Sequence, residues 1–420
     1  MAPPIFATRV VGVSDLNKDA SDHIYSVLPT NAIRVLRLHH GSGSQIIECS
    51  LSTTQLTNAD PYEALSYVWG SEADPETLLL CHREFRITRN LHSALRALRL
   101  PYKDRILWID ALCINQGNDI EKGTQIPLMG EIYKGAGRVI AWLGSPTDDM
   151  MPGLRWLRQL VTSEDIEFYR FPNDDSIDNT HIGLELLSHC DYWNRAWIVQ
   201  EIAFASLFHL QCGPFSIPYD VFRKVLELES SRLGCVLSPE PHAPNRTIAP
   251  ISFRDRLIRP GSGTTGRISA KIFLDHLVDK KCGDPRDSVF AFYNLFSREL
   301  QKHLPSPSNY CEKPRDILLK AICGMISSER SLYAITIRSR QKMPIGEEDA
   351  WQLDLPSWCP YVRTSFEIDS LSVLGKFSFG IETAEPVFQN NGKLVHVRGC
   401  AIAEVSKTLA PYRHRDLSLA

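Results

Sequence analysis

The sequence lacks the features that mark several specialised classes of protein. It has no run of 18 apolar residues, so we predict no membrane-spanning helix. Its first residues contain no basic leader followed by an apolar stretch, and we therefore expect a cytoplasmic protein. The 46 Lys and Arg residues nearly balance the 49 Asp and Glu residues, and the net charge of −3 provides no field that would hold nucleic acid or an anionic membrane.

The sequence also lacks the cysteine patterns of metal sites and disulfide frameworks. Its 11 cysteines are scattered and odd in number, and no two of them form a Cys-x-x-Cys pair. Structural zinc needs four Cys or His ligands at close spacing. We therefore expect reduced thiols, no metal ion and no bound cofactor.

Apolar patterns in the first half of the chain alternate between strand and helix. Strands alternating with helices predict an α/β fold, with a parallel sheet flanked by helices and a ligand crevice at the carboxyl ends of the strands. An N-terminal hairpin precedes this unit. The predicted elements are hairpin strands at 33–38 and 46–49, strands at 62–70, 105–110 and 139–143, and helices at 91–100 and 126–136.

The second half of the chain is predicted to be mainly helical with some terminal strands. An aromatic stretch at 192–202 predicts a helix that closes the first domain, and Pro214 and Pro218 mark a boundary. Helical spacing then recurs at 219–233, 268–280, 286–298 and 314–327, and a strand pattern at 394–398. We predict an N-terminal extension at 1–30, a first domain at 31–213 and a regulatory region at 214–420.

Polar residues follow two of the predicted strands at the edge where the crevice is expected. Each candidate has a structural alternative: a carboxylate there can orient a ligand ribose or cap the next helix, amides can fix their own loop, and a glycine can simply make a turn. We keep both readings for each. The candidates are Ser66, Tyr67, Trp69 and Gly70 at the end of the strand predicted at 62–70, Asp110 at the end of the strand predicted at 105–110, and Asn115 and Gln116 in the loop that follows it.

Three longer segments together resemble the signature blocks of the HET domain, the fungal heterokaryon-incompatibility family. They are Tyr62–Gly70 (YEALSYVWG), Leu107–Gln116 (LWIDALCINQ) and Arg195–Ile202 (RAWIVQEI). Gly283–Phe292 and Leu355–Pro360 resemble segments that often follow this domain. The resemblance implies a role in non-self recognition and programmed cell death.

The HET domain is in turn similar to the TIR domain, which implies a flavodoxin-like sheet. In TIR-type NAD hydrolases the catalytic Glu stands four residues after a Trp, and Trp197 and Glu201 have this separation. The resemblance thus implies Glu201 as the catalytic carboxylate, Trp197 as a wall of the pocket and NAD as substrate. The chain departs from that pattern at Ile198, where the TIR motif has Cys. The structural alternative pairs Glu201 with Arg195 and places Trp197 in the core.

Two other classes of function stay open at this point. The domain could be a non-catalytic interaction module with a vestigial crevice, or an accessory regulator of a neighbouring pathway. TIR-like enzymes often work as assemblies, so self-association is expected, together with a protein partner from an incompatible genotype. A charge-removing substitution at Glu201 separates the catalytic from the non-catalytic reading.

Overall fold

A computed structural model of the protein describes residues 13–162, 176–232, 268–270, 273–274, 280–307, 310 and 312–329 and two short strands. The strands are β1 Ala32–Leu38, β2 Glu48–Gln55, β3 Glu63–Tyr67, β4 Glu76–Leu80, β5 Arg83–Ile87, β6 Arg105–Trp108, β7 Arg138–Gly144, β8 Phe208–Cys212, β9 Phe215–Pro218, β10 Val387–Gln389 and β11 Leu394–His396. The helices of the first part are α1 Val13–Leu16, α2 Lys18–Ile24, α3 Arg89–Leu98, α4 Asp110–Cys113, α5 Asp119–Gln125, α6 Met129–Gly135, α7 Met151–Thr162, α8 Ser176–His189 and α9 Ile198–Phe204. They are followed by α10 Tyr219–Arg232, α11 Asp287–Phe290, α12 Arg298–Gln301 and α13 Pro314–Glu329. Short 3-10 helices occupy Leu56–Asn58, Ile126–Leu128, Asp148–Met150, Asp191–Asn194 and Tyr293–Leu295.

Strands β1 to β9 form one mixed, nine-stranded sheet in the order β5-β4-β2-β1-β6-β3-β7-β8-β9. At its centre β6, β3, β7 and β8 run parallel to one another. If these four strands are numbered along the chain, they lie side by side in the order 2-1-3-4. This order matches the first four strands of the flavodoxin-like sheet. The predicted α/β class is confirmed, with helices beside a sheet whose four central strands are parallel, whereas the flanking strands add antiparallel pairs that were not part of the predicted parallel sheet.

The crossover helix α3 shows how local sequence produces this layout. The Thr88 hydroxyl caps the helix by accepting the Leu91 N–H, and the side chains of Leu91, Ala94, Leu95 and Leu98 are buried. This i, i+3, i+4, i+7 spacing places one apolar stripe against the sheet. The helix predicted at 91–100 therefore exists, two residues earlier than its predicted start.

Two hairpins were not predicted. β4 and β5 are joined through Cys81 and His82, which both have positive φ (50° and 64°). A tight two-residue turn of this hand normally uses Asn and Gly, so its sequence signal is missing here. β8 and β9 extend the sheet through Pro218, past the domain boundary predicted at residue 213. The division into domains stays a prediction.

The helical region after the sheet packs against it. One cluster of buried apolar side chains runs from the strands into α10, α11 and α13. Phe222 stacks on Trp193, and Phe273 makes edge contacts with Phe292 and Phe296. The helices predicted at 219–233 and 314–327 are confirmed by α10 and α13, and the strand predicted at 394–398 by β11. Most of the helix predicted at 268–280 lies outside the described residues, as do residues 1–12 of the N-terminal extension.

Candidate functional site

The topological switch point of the parallel strands lies at β3. Its two neighbours in the sheet, β6 and β7, are the next two parallel strands along the chain and lie on its opposite sides, so the order of the parallel strands reverses at β3. In open α/β sheets, ligands bind at the carboxyl ends of the strands where this reversal occurs. Ser66 and Tyr67 are the last residues of β3, and Asp110 follows β6 by two residues. The sequence therefore brings these three candidates to one sheet edge.

Glu201 reaches the same place from α9, which packs on β3 and α6. Its side chain is only 2% exposed. The Ser66 hydroxyl donates a hydrogen bond to one carboxylate oxygen of Glu201, and the Tyr133 hydroxyl is also hydrogen-bonded to this carboxylate. The Ser66 and Tyr192 hydroxyl oxygens are 2.7 Å apart. Three hydroxyl groups thus gather around one buried carboxyl group.

Burial controls the ionisation of Glu201. Loss of water raises the pKa of its carboxyl group to about 7, while the positive charge of Arg195 and the Ser66 hydrogen bond act in the opposite direction. Near neutral pH the protonated and ionised forms are then comparably populated. A carboxyl group with this pKa can exchange protons at physiological pH, as general acid–base chemistry requires.

Asp110 ties the ends of β3 and β6 together. One of its carboxylate oxygens accepts the Ala111 N–H (2.7 Å) and the other accepts the indole N–H of Trp69 (2.9 Å). Burial raises the pKa of Asp110, and the charge of Arg195 and the Trp69 hydrogen bond lower it. The Tyr67 hydroxyl is also hydrogen-bonded to this carboxylate. Asp110 therefore satisfies one backbone N–H in the first turn of α4, although the N-cap position itself is Ile109, which makes no side-chain cap.

Arg195 also belongs to the site. The sequence analysis named it only as the ion-pair partner of Glu201 in the structural alternative. Its guanidinium donates to the backbone carbonyl of Tyr67, and its charge favours the ionised forms of both Asp110 and Glu201. Tyr133 and Tyr192 were missed. The available signal was their position, since Tyr192 begins the aromatic stretch before Glu201 and Tyr133 lies on the apolar face of the helix predicted at 126–136.

The remaining candidates lie in the loops around this carboxylate pair. Gly70 has a φ of 79°, a conformation that favours glycine. The Gln116 side chain donates to the carbonyl of Asp110 (2.8 Å) and so braces the start of α4. The Asn115 side chain accepts the Gly117 N–H (3.1 Å) and fixes its own loop. Trp197, one turn before Glu201 in the chain, is hydrogen-bonded through its indole to Asp287 in the helical region.

An open polar cleft of about 400 Å³ lies at the same sheet edge. Its walls come from the loop after β3, the start of α3 and the loop after β7. Asn90 in this wall donates to the Val68 carbonyl (2.6 Å) and accepts the Trp142 indole N–H (2.9 Å), which holds α3 to the two strands. Arg89 pairs with Asp74 across the cleft. The lining residues are Ser71, Asp74, Arg89, Asn90, Ser93 and Ser145.

Within the described ranges, no three His, Cys, Asp or Glu side chains are grouped so that they could hold a metal ion. Among the helices that the structure describes, none combines the length and hydropathy needed to cross a bilayer.

Comparison with known proteins finds a family model that matches the segment containing the site. Residues 62–201 match the family model of the heterokaryon incompatibility protein (HET). The chain is 37% identical over 135 residues to heterokaryon incompatibility protein 6, OR allele, of Neurospora crassa. That alignment covers 29% of this chain and 20% of the relative, so it spans about a fifth of the relative's length. No solved structure is significantly similar to the chain.

Proposed function

We propose that this chain is an effector of fungal heterokaryon incompatibility that triggers cell death by cleaving NAD at Glu201, because residues 62–201 match the HET family model. The matched segment contains β3, β6 and β7 and ends at Glu201 itself. The observation that carries the catalytic part of the proposal is the Glu201 carboxyl group, buried at the switch point, hydrogen-bonded to Ser66 and titrating near neutral pH. The resemblance to TIR-type NAD hydrolases assigns the catalytic role to the same residue.

The chemistry follows from the charge that develops when the nicotinamide–ribose bond breaks. Nicotinamide leaves with the bonding electron pair, and positive charge builds on the ribose C1′ and its ring oxygen. An ionised Glu201 would stabilise that charge, and water would then add to C1′ and release a proton to solvent. The products are nicotinamide and ADP-ribose. Burial strengthens the electrostatic interaction because little water screens it.

Access to the carboxyl group is the structural requirement of this proposal. With Glu201 only 2% exposed, a substrate reaches it only after α9 or the loop after β3 moves. The polar cleft beside the Trp69–Gly70 loop would receive the remainder of the dinucleotide. Self-association is a further part of the proposal, because assembly is one way to stabilise the opened arrangement.

The same burial favours a second candidate function, a non-catalytic interaction module. In that reading the hydroxyls of Ser66 and Tyr133 serve only to satisfy the buried carboxyl group of Glu201, and the domain signals by recruiting a protein partner. The catalytic proposal needs the charge of Glu201, whereas the module needs only a folded domain.

Expression in fungal cells separates the two functions. The full chain, Glu201→Gln and the control Glu131→Gln would be induced, and cell viability and cellular NAD measured together. Glu131 is an exposed residue of the neighbouring helix α6, so its loss of charge should change neither quantity. Death with NAD depletion that disappears only in Glu201→Gln supports catalysis. Death that persists in Glu201→Gln, with NAD unchanged, supports the interaction module.

A further inference from the structure

Residues 280–294 of the helical region contact the segment that leads into Glu201. The Lys281 N–H donates to the carbonyl of Asn194 (2.7 Å), and the Ala196 N–H donates to the carbonyl of Lys281 (2.9 Å). These two bonds form an isolated parallel bridge between Arg195 and Lys281. The Lys280 ammonium group donates to the Trp193 carbonyl (2.7 Å). The chain just before α9 is therefore held by backbone and side-chain contacts from outside the HET domain.

Asp287 adds a side-chain contact at the start of α9. Its carboxylate accepts hydrogen bonds from the Trp197 indole and the Tyr310 hydroxyl. Burial raises the pKa of Asp287 to about 6, so the group is ionised at neutral pH and accepts both bonds as a carboxylate. Trp197 is the N-cap residue of α9, and its carbonyl accepts the Glu201 N–H (3.4 Å).

The surroundings of Asp287 are themselves fixed. Arg286 forms an ion pair with Asp284 (2.5 Å), and its guanidinium donates to the carbonyls of Tyr310 and Glu312. The Tyr310 ring lies 5.0 Å from the same guanidinium. This turn is the Asp284–Asp287 segment whose Pro and acids predict a helix start. A helix start alone does not require the contact between Asp287 and a tryptophan 90 residues earlier.

We propose that Asp287 is a positioning residue for Glu201: by accepting the Trp197 indole N–H it fixes the first turn of α9 and so the position of Glu201 against Ser66. Asn294 makes a second, weaker contact to the same helix, donating to the Gln200 side chain (3.4 Å) and to the Pro127 carbonyl (3.4 Å). In this proposal the helical region positions Glu201 mainly through the Asp287–Trp197 contact, and the bonds from Lys280, Lys281 and Asn294 support the same segment. The regulatory meaning rests on the proposed function, whereas the positioning contact can be tested without NAD.

The test uses the full chain, with indole NMR and hydrogen exchange as readouts. Trp197→Phe identifies the Trp197 indole resonance and removes the donor while leaving α11 unaltered. Asp287→Ala removes the acceptor, and Asp287→Asn keeps an oxygen that can accept. The control Asp284→Ala breaks the pair with Arg286 and leaves the Trp197 acceptor in place.

We expect the indole resonance to shift in Asp287→Ala and to stay close to wild type in Asp287→Asn. Amide exchange across 198–204 should rise roughly tenfold in both Asp287→Ala and Trp197→Phe, and by much less in Asp284→Ala, because only the first two lose the bond. Wild-type exchange across 198–204 in Trp197→Phe would overturn the proposal, even if Asp287→Ala failed to fold. A change in Asp287→Ala confined to 287–290 would also overturn it, since that is the result of a helix-capping role.

Discussion

The hydroxyl group of Ser66 donates a hydrogen bond to the carboxylate of Glu201, joining two residues that are 135 positions apart in the chain. Ser66 is the last residue but one of β3, and Glu201 lies on α9. Because β3 is the switch point of the sheet, this bond places Glu201, the residue that we propose to be catalytic, at the position where α/β folds bind ligands. The bond also stabilises the ionised form of Glu201, whereas burial destabilises that form.

The ionisation of Glu201 should make stability depend on pH. Its pKa is raised from 4.5 to about 7 in the folded protein, so the folded state binds the proton more tightly than the unfolded state does. The stabilising contribution is complete below about pH 4.5 and is lost as pH rises through 7. In Glu201→Gln the side chain at position 201 has no proton that titrates in this pH range. Relative to this variant, the wild type should lose about 2–3 kcal/mol of unfolding free energy between about pH 5 and pH 8.

Urea denaturation at a series of pH values measures this difference. Glu131→Gln serves as the control because its carboxylate is exposed, and its difference from wild type should stay near zero throughout. The account would be contradicted if the free energies of unfolding of wild type and Glu201→Gln differed by the same amount at all pH values. That result would mean that the pKa of Glu201 does not change on folding.

Removing the Ser66 hydroxyl should destabilise the protein more at high pH than at low pH. Ser66→Ala leaves the buried Glu201 carboxylate with one donor fewer, and a lost hydrogen bond to a charged group costs about 1–3 kcal/mol. Ser52→Ala, on an exposed part of β2, should be close to neutral. Equal destabilisation by Ser66→Ala at about pH 5 and pH 8 would show that the hydroxyl does not distinguish the two ionisation states.

A second buried pair supports the loop that contains Asn115 and Gln116. Arg34 and Glu121 are 2.6 Å apart with side chains 2% and 8% exposed, and Glu121 also accepts the Asn115 N–H (2.7 Å). Arg34→Met alone should cost about 3–5 kcal/mol, because it leaves an unpaired buried carboxylate. The double variant Arg34→Met with Glu121→Leu should cost clearly less than the sum of the two single changes. Additive losses in thermal or urea denaturation would show that the two charges are not coupled.

Much of the central sheet follows from its sequence because each element has a strong local pattern. β3, β6 and β7 are apolar runs that end at polar loops, and α3 has a complete apolar stripe. The rules for parallel crossovers then make these strands parallel, and the resemblance to the TIR domain implies their flavodoxin-like order. The same rules correctly group Ser66 and Tyr67 with Asp110 at one edge.

The parts that could not be predicted depend on exceptions to local rules. The turn at Cys81–His82 forms without Asn or Gly, so β4 and β5 have no turn signal. Pro214 and Pro218 suggested a boundary, yet β9 is an edge strand, where a proline at the end costs no ladder bond.

The parts of the site that could not be predicted also lack a local sequence signal. Tyr133 and Tyr192 look like ordinary core aromatics, because nothing local shows that a hydroxyl will meet a distant carboxylate. The contact of Trp197 with Asp287 joins two segments that sequence reasoning treated as separate domains. Long-range polar contacts of this type carry no periodic signal.

The most direct test of the central claim is nicotinamide release from NAD by the purified full chain, followed by chromatography at a protein concentration where self-association has been verified by light scattering. The account predicts release by wild type and by Glu131→Gln, and a loss of at least about a hundredfold in Glu201→Gln, because the amide keeps the size of the side chain and removes its charge. Equal release by wild type and Glu201→Gln, or no release from the assembled wild-type protein, would contradict it.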